Sequence, residues 1–376
     1  MRSSSEKKLI ILTVIVVVII IAIAAFIAYA FLSNGNNSSE NNMNFQLYNE
    51  SNSKPTVNTE NNIGQNTVVP VENANNEQTQ TQGSSTTDTN TYYYKQLSNT
   101  AKKIYDGLKK HKDDMKTGTY VIDFGTEFNS ILNGADGEEI LNQEYQSAWN
   151  AFSYDNVDLY YLDINKVSMV MEARTEGATT TYYVKIGPGD YSSYLSSTFA
   201  NKKEIEDADA YIKDIRNQVM SILGPYNNAM KIKVVNEWMI DNLSYENIEG
   251  NNNKYNLYGA IVETKVVCEG YARMFKYIMD GLNIPCILVS GTATNSEGET
   301  ELHAWNYVEL NGQWYAVDVT WNDPVVIGEG ELTESQKSKY LLKGKGFLDN
   351  HKEDGMISEN SMKFIYPKLN SADYIF

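Results

Sequence analysis

The chain has 376 residues with 31 basic and 48 acidic side chains, a formal charge of −17, three histidines and two cysteines. Such acidity disfavours nucleic acid and anionic lipid surfaces as partners of the folded part. The two cysteines could pair in a disulfide, a reading that competes with a free thiol.

Arg2, Lys7 and Lys8 precede a run from Leu9 to Leu32 that holds no charged side chain. About 20 apolar residues cross a bilayer core as a helix, so 9–32 reads as a transmembrane anchor and 1–8 as its cytoplasmic tail. A cleaved signal peptide is the competing reading, with Ala28-Tyr29-Ala30 as its cleavage site. Its apolar region would be shorter, roughly 7–15 residues. No basic residue follows the run until Lys54, so the positive-inside bias puts everything after Leu32 outside the cytoplasm. That remainder carries 28 basic and 47 acidic side chains, a charge of −19.

Residues 33–91 are Asn, Ser, Thr, Gln, Gly and Glu with few apolar positions, which predicts a disordered tether. A flexible chain of ~60 residues spans about 40–45 Å, enough to hold a domain off a membrane. From Tyr92 the composition turns globular. Residues 94–114 predict a helix, with Leu97, Ala101, Ile104, Tyr105 and Leu108 at helical spacing. Stretches 120–124, 158–162, 167–173 and 179–186 predict strands, the last ending at Gly187-Pro188-Gly189. Residues 204–223 predict a helix stopped by Gly224-Pro225, and 229–243 another with Met230, Val234, Trp238 and Leu243 facing the core. The division expected is an accessory α+β region at 92–225 and a region carrying the chemistry at 226–376.

Residues 268–282 predict an amphipathic helix whose apolar face holds Tyr271, Met274, Phe275, Ile278, Met279 and Leu282. Cys268 therefore opens its first turn, where free backbone N–H groups and the helix dipole favour a thiolate and could hold an oxyanion. Cys286 lies in the apolar run Ile284–Ser290 and reads as a buried small hydrophobe. A disulfide between the two would leave no nucleophile.

Strand-like runs 302–310 and 313–321 flank Asn311-Gly312, a two-residue hairpin signal. That loop places His303 opposite Thr320 and Trp305 opposite Asp318, so these four share one face. His303 and Asp318 become diagonal neighbours, with backbones about 7–8 Å apart. One imidazole nitrogen can then bond the carboxylate while the other meets a thiol. His111 and His351 sit in charged runs, Lys110–Asp113 and Asn350–Glu353, and read as exposed. A Cys, His and Asp could form an open zinc site, but the short-spaced ligand pair of such sites is missing, so no metal is expected. Gly344-Lys345-Gly346 is too short for a phosphate loop, and no cofactor is expected.

Tyr258-Gly259-Ala260, Val266-Val267-Cys268-Glu269-Gly270-Tyr271-Ala272, Ile284-Pro285-Cys286, His303-Ala304-Trp305-Asn306 and Trp314–Trp321 together resemble the bacterial transglutaminase-like superfamily. The likeness is specific over 256–324, continues through Tyr340-Leu341-Leu342, Phe347-Leu348 and His351, and is loose over 92–225. It implies an α+β fold with a papain-like core, the Cys-bearing helix packed on an antiparallel sheet. It implies Cys268 as nucleophile, His303 as base and Asp318 as the residue that orients the base. Animal transglutaminases add an upstream Trp as oxyanion donor and papain-like proteases a Gln; Tyr258 is the candidate here, whereas Trp238 reads as core. The function expected is an anchored extracytoplasmic enzyme acting on amide or peptide carbonyls through an acyl-thioester, as a peptidase, amidase or crosslinker. Its partners would be proteins or peptides of the cell envelope, and no nucleic acid. The alternative is a non-catalytic module that binds envelope protein or peptidoglycan peptides in the same cleft.

Overall fold

The computed structural model describes residues 91–324 and 332–376, together with the backbone of strand β1 (Phe45–Asn49). The expected tail and anchor lie outside the described residues, as does nearly all of the expected tether. Among the described residues no helix is long and apolar enough to cross a membrane.

Helix α1 (Asn99–Lys110) begins at Ser98, whose hydroxyl accepts from the Ala101 N–H at 3.0 Å. It buries Ala101, Ile104, Tyr105 and Leu108, as their spacing predicts. It starts later than expected because Leu97 is extended and breaks it from a short turn at Tyr94–Gln96. Helix α2 (Gly137–Asp155) has no counterpart in the sequence reading. Its middle is buried without interruption from Tyr145 to Phe152, including Gln146, Ser147 and Asn150, so no polar stripe marks a helical period.

Strands β2 (Ile122–Gly125), β3 (Ser168–Glu176) and β4 (Thr179–Gly187) form a sheet of order β1-β3-β4-β2, antiparallel except for β1 against β3. The expected strand at 158–162 does not form. Tyr160 and Tyr161 both insert into the core, and their hydroxyls reach Asp209 at 2.5 Å and the Lys112 carbonyl at 2.7 Å. Only an isolated bridge from Leu162 to Leu195 is left there.

Helix α3 (Lys202–Ser221) and helix α4 (Asn228–Asn242) start at asparagine caps, Asn201 and Asn227. The buried face of α4 is rotated from the expected one. Ala229, Ile232, Val235, Asn236, Met239 and Ile240 face inward, while Met230, Val234 and Trp238 are half-buried. Asn236 is the reason: it is fully buried, accepts from Asn322 at 2.9 Å and donates to the Lys337 carbonyl at 2.8 Å. A polar residue at the centre of the core face conceals the stripe.

Helix α5 (Cys268–Gly281) packs on strands β7 (Cys286–Thr294) and β8 (Thr300–Leu310), which continue into β9 (Gln313–Val317). With β10 (His351–Glu353) they form an antiparallel sheet of order β10-β7-β8-β9. The Asn306 amide joins helix to sheet, donating to the Ala272 carbonyl at 3.0 Å. Asn311 and Gly312 both have positive φ, as the two-residue hairpin requires, and Tyr307 faces Ala316 in the expected register. The strand stops early, however. After Val317 the chain turns into a short helix, α6 (Val319–Asn322), so Thr320 does not face His303 across a ladder.

The first turn of α5 is laid against two short parallel strands, β5 (Ser244–Tyr245) and β6 (Lys265–Val266). Gly270 makes this possible: a Cβ there would lie 2.6 Å from Val266 and 2.7 Å from the Lys254 carbonyl oxygen. One hydrophobic core runs from Tyr93 to Phe364, so 92–225 and 226–376 both contribute to it. Arg273 of α5 reinforces the join by donating to the Ser153 carbonyl of α2 at 3.0 Å. A smaller cluster of Ile287, Val289, Trp305, Tyr307, Ala316 and Phe347 holds the alternate register of the second sheet.

Candidate active site

Cys268 is the first residue of α5 and is partly exposed; Cys286 is fully buried, and neither is in a disulfide. Burial pushes the Cys286 thiol far above its ordinary range, consistent with an inert packing residue.

His303 on β8 and Asp318 meet as the hairpin argument requires, with Nε2 to Oδ2 at 2.7 Å. The geometry differs in kind, because Asp318 is no longer a strand residue. It is the N-cap of α6, and its Oδ1 accepts from the Trp321 N–H at 3.0 Å. One carboxylate thus caps a helix through one oxygen and holds the imidazole through the other. His303 is 5% exposed and Asp318 1%, so the pair is screened from water.

Burial opposes the charged form of His303, but the Asp318 carboxylate, with the Cys268 thiol as a further hydrogen-bonding partner, raises its pKa well above the ordinary value. Burial likewise works against ionised Asp318, and His303 and His351 together hold it well below the usual carboxylate range. Because Nε2 is committed to Asp318, Nδ1 is the nitrogen left for the thiol. Cys268, His303 and Asp318 are therefore brought together, with the imidazole between the thiol and the carboxylate.

His351 corrects the sequence reading. It is 1% exposed rather than solvated, and its Nε2 lies 3.1 Å from the same Asp318 oxygen that holds His303. The run Asn350–Glu353 hides this because a three-residue strand is too short to display its alternation, and only Lys352 of its middle points outward. His111 is corrected as well: it is half-buried, stacked on Tyr120 with ring centroids 4.9 Å apart and bonded to Asp114. Asp323 is bound to the Tyr271 hydroxyl at 2.6 Å.

Tyr258 is in a different neighbourhood. Its ring packs against Tyr160 and Phe199, at centroid distances of 5.9 and 5.1 Å. The tyrosine that shares the electrostatic surroundings of Cys268 is Tyr245 on β5. Burial first, then Cys268, Glu301, Tyr255 and Asp318, push its phenol up to about 12, so it keeps its proton. Sequence reasoning missed it because Leu243–Glu246 shows neither a motif nor a periodic pattern.

Ligand atoms of His303, Asp318 and His351 lie within 4.8 Å of one another, a spacing that suits a metal ion. Their donors are already used among themselves, since both Nε2 atoms converge on one carboxylate oxygen at hydrogen-bond distance.

Residues 216–319 match the family model of the transglutaminase-like superfamily. The chain carries a transglutaminase-like core. Kyphoscoliosis peptidase of Mus musculus and of Homo sapiens are each 25% identical to it over 157 residues, 37% of this chain. The chain spans 23% of the length of these curated relatives. A crystal structure of a TGase is similar at TM-score 0.30 and 15% identity, over 46% of this chain and 49% of that one. An arylamine N-acetyltransferase from Bacillus cereus is similar at TM-score 0.25 and 16% identity, over 29% of this chain and 49% of that one. The match over 216–319 ends one residue beyond Asp318, so it takes in α5, strands β7 to β9, Cys268, His303 and Asp318, but not β10 and its His351.

Proposed function

We propose that this chain is a cysteine acyl-transfer enzyme, anchored by residues 9–32 with its folded part outside the cytoplasm, that acts on amide or peptide carbonyls. The observation that carries the reading is the buried His303–Asp318 pair, with Cys268 as the imidazole's other partner. A bland packing histidine has no use for a carboxylate that burial alone would neutralise.

The Cys268 sulfur attacks the carbonyl carbon while His303 holds the thiol proton on Nδ1. The carbonyl pair moves onto oxygen, where the Cys268 backbone N–H at the start of α5 is the donor offered. The intermediate collapses, the carbon–nitrogen bond breaks, and the amine leaves with the proton from His303. Water then attacks the thioester, giving His303 a proton and releasing the acid, with the thiol restored. An amine in place of water forms a new amide by the same route. Asp318 keeps the imidazole in one orientation throughout and stays ionised.

The test incubates the purified full chain with cell-envelope proteins and a biotin-tagged primary amine, then maps products by mass spectrometry. Cleaved or tagged glutamine-containing peptides are expected with wild type and not with Cys268→Ala. Equal product from both chains would remove Cys268 from the chemistry. Retained binding of the same proteins without any product would return the cleft to the binding-module reading.

A further inference from the structure

Three donors surround the Asp318 carboxylate, and the reaction just described uses one of them. His303 gives Nε2–H to Oδ2 at 2.7 Å, Trp321 gives its backbone N–H to Oδ1 at 3.0 Å, and His351 Nε2 stands 3.1 Å from Oδ2. The fold holds His351 in place from several sides. Its ring is stacked on Phe347 with centroids 3.8 Å apart and planes 23° apart, and it meets Trp321 at 4.5 Å and Trp305 at 5.2 Å. It is delivered by β10, which pairs with β7. Gly291 permits that ladder, since a Cβ at 291 would fall 2.0 Å from the Lys352 carbonyl oxygen.

Both ring nitrogens of His351 face oxygens, Nε2 the Asp318 Oδ2 at 3.1 Å and Nδ1 the Asn350 Oδ1 at 2.8 Å, so its Nε2–H adds a hydrogen bond to the carboxylate while burial works against a second positive charge. The groups facing His303 are Asp318, Cys268 and His351, with Tyr245 and Glu301 in the surroundings of the thiol. Without His351, Oδ2 would rest on the imidazole of His303 alone, and rotation about the Asp318 side chain would be opposed only by that bond and the Trp321 N–H.

We propose that His351 is a positioning residue of this site, an imidazole whose Nε2–H fixes Asp318 and keeps it a carboxylate so that His303 can carry the proton of Cys268. The inference rests on the reading of Cys268, His303 and Asp318 as nucleophile, base and orienting carboxylate, and extends it with a residue beyond the matched 216–319 segment.

Two measurements test it on the full chain. In wild type, nitrogen-15 spectra of labelled histidine should show a proton on His351 Nε2 at about pH 7; a ring whose only proton is on Nδ1 would overturn the proposal. Alkylation of Cys268 by iodoacetamide then reads the thiol–imidazole pair directly. His351→Phe keeps an aromatic ring against Phe347 but loses the donor, and should lower the rate at about pH 6 roughly tenfold, the usual weight of one hydrogen bond to a charged group. His351→Gln keeps an N–H donor and should stay within about threefold of wild type. At about pH 10 all three chains should react alike, since free thiolate then dominates and only access matters. A His351→Phe profile equal to wild type would overturn the inference alone, as would equal losses at every pH in both variants. Absence of low-pH reactivity at Cys268 in wild type would overturn the inference together with the reading it rests on.

Discussion

Asp318 does two jobs with one carboxylate, and only one of them could be read in the sequence. The hairpin signal at Asn311-Gly312 and the side-chain alternation around it were enough to bring His303 and Asp318 together. They could not show that Val317 ends the strand, because helix capping by Asp318 competes with ladder pairing and wins locally. The consequence is testable. Asp318→Asn presents a neutral group that no longer stabilises imidazolium and can favour the wrong tautomer, a change that cost ~10⁴ in rate in a serine-protease triad. We expect a loss of about 10³–10⁴ in acyl-transfer rate on any donor that the amine-capture assay yields. Asp323→Asn should change that rate by no more than about twofold, since Asp323 is engaged by Tyr271 rather than by the base. The reverse ranking of the two variants would reassign the orienting carboxylate.

At the scale of elements, the site depends on how closely the start of α5 approaches β6. Gly270→Ala should destabilise the fold by about 1–3 kcal/mol, the usual cost of forcing a methyl into a packed contact. Gly346→Ala, where a Cβ has open space, should stay within about 0.5 kcal/mol. Urea unfolding of the two variants decides it, and equal midpoints would mean that the helix can shift without penalty. A second element-level join is Asp155 at the end of α2, which accepts the N–H groups of Tyr93 and Tyr94 at 3.1 and 3.0 Å and the Tyr105 hydroxyl at 3.1 Å. Burial pushes its pKa up to about 7 in spite of these donors. The folded value lies above the unfolded one, so this group's contribution is fully present below about pH 4 and is lost as pH rises through about 7. The loss is at most on the order of 4 kcal/mol by pH 8. Asp155→Asn should flatten that part of the stability–pH curve, and denaturant midpoints at pH 5 and pH 8 falling in parallel with wild type would contradict it. Helix α2 itself was not legible, for the reason that makes it useful: buried on most sides, with Gln146 and Asn150 inside, it lacks the amphipathic period by which α1 and α5 could be found.

At the scale of the molecule, the sequence separates a charged tail, an apolar run and a polar stretch from a folded part that begins near Tyr93. We expect residues 33–376 outside the cytoplasm and still attached to the membrane. Protease added to intact cells that express the chain should digest the folded part, whereas full protection would contradict this topology. Release of a soluble form beginning near Phe31 would replace the anchor with a signal peptide. The α+β fold with Cys268 at a helix start and His303 on an antiparallel sheet was legible, because the periodic patterns of α5, β8 and β9 are strong and local. His351 and Tyr245 were not, because each reaches the site from a strand of two or three residues placed by tertiary contacts alone.

The most direct test of the account uses the chain's two thiols as probe and control. The folded full chain is treated with limiting iodoacetamide at about pH 6, and the labelled cysteine is identified by peptide mapping. A thiol of ordinary pKa, about 8.5, is mostly protonated there, while one paired with an imidazolium keeps a reactive thiolate. Cys268 should be labelled well ahead of buried Cys286, and His303→Ala should slow that labelling without exposing Cys286. Equal labelling of the two cysteines, or a rate at Cys268 that is indifferent to His303→Ala, would contradict a thiol–imidazole nucleophile in this protein.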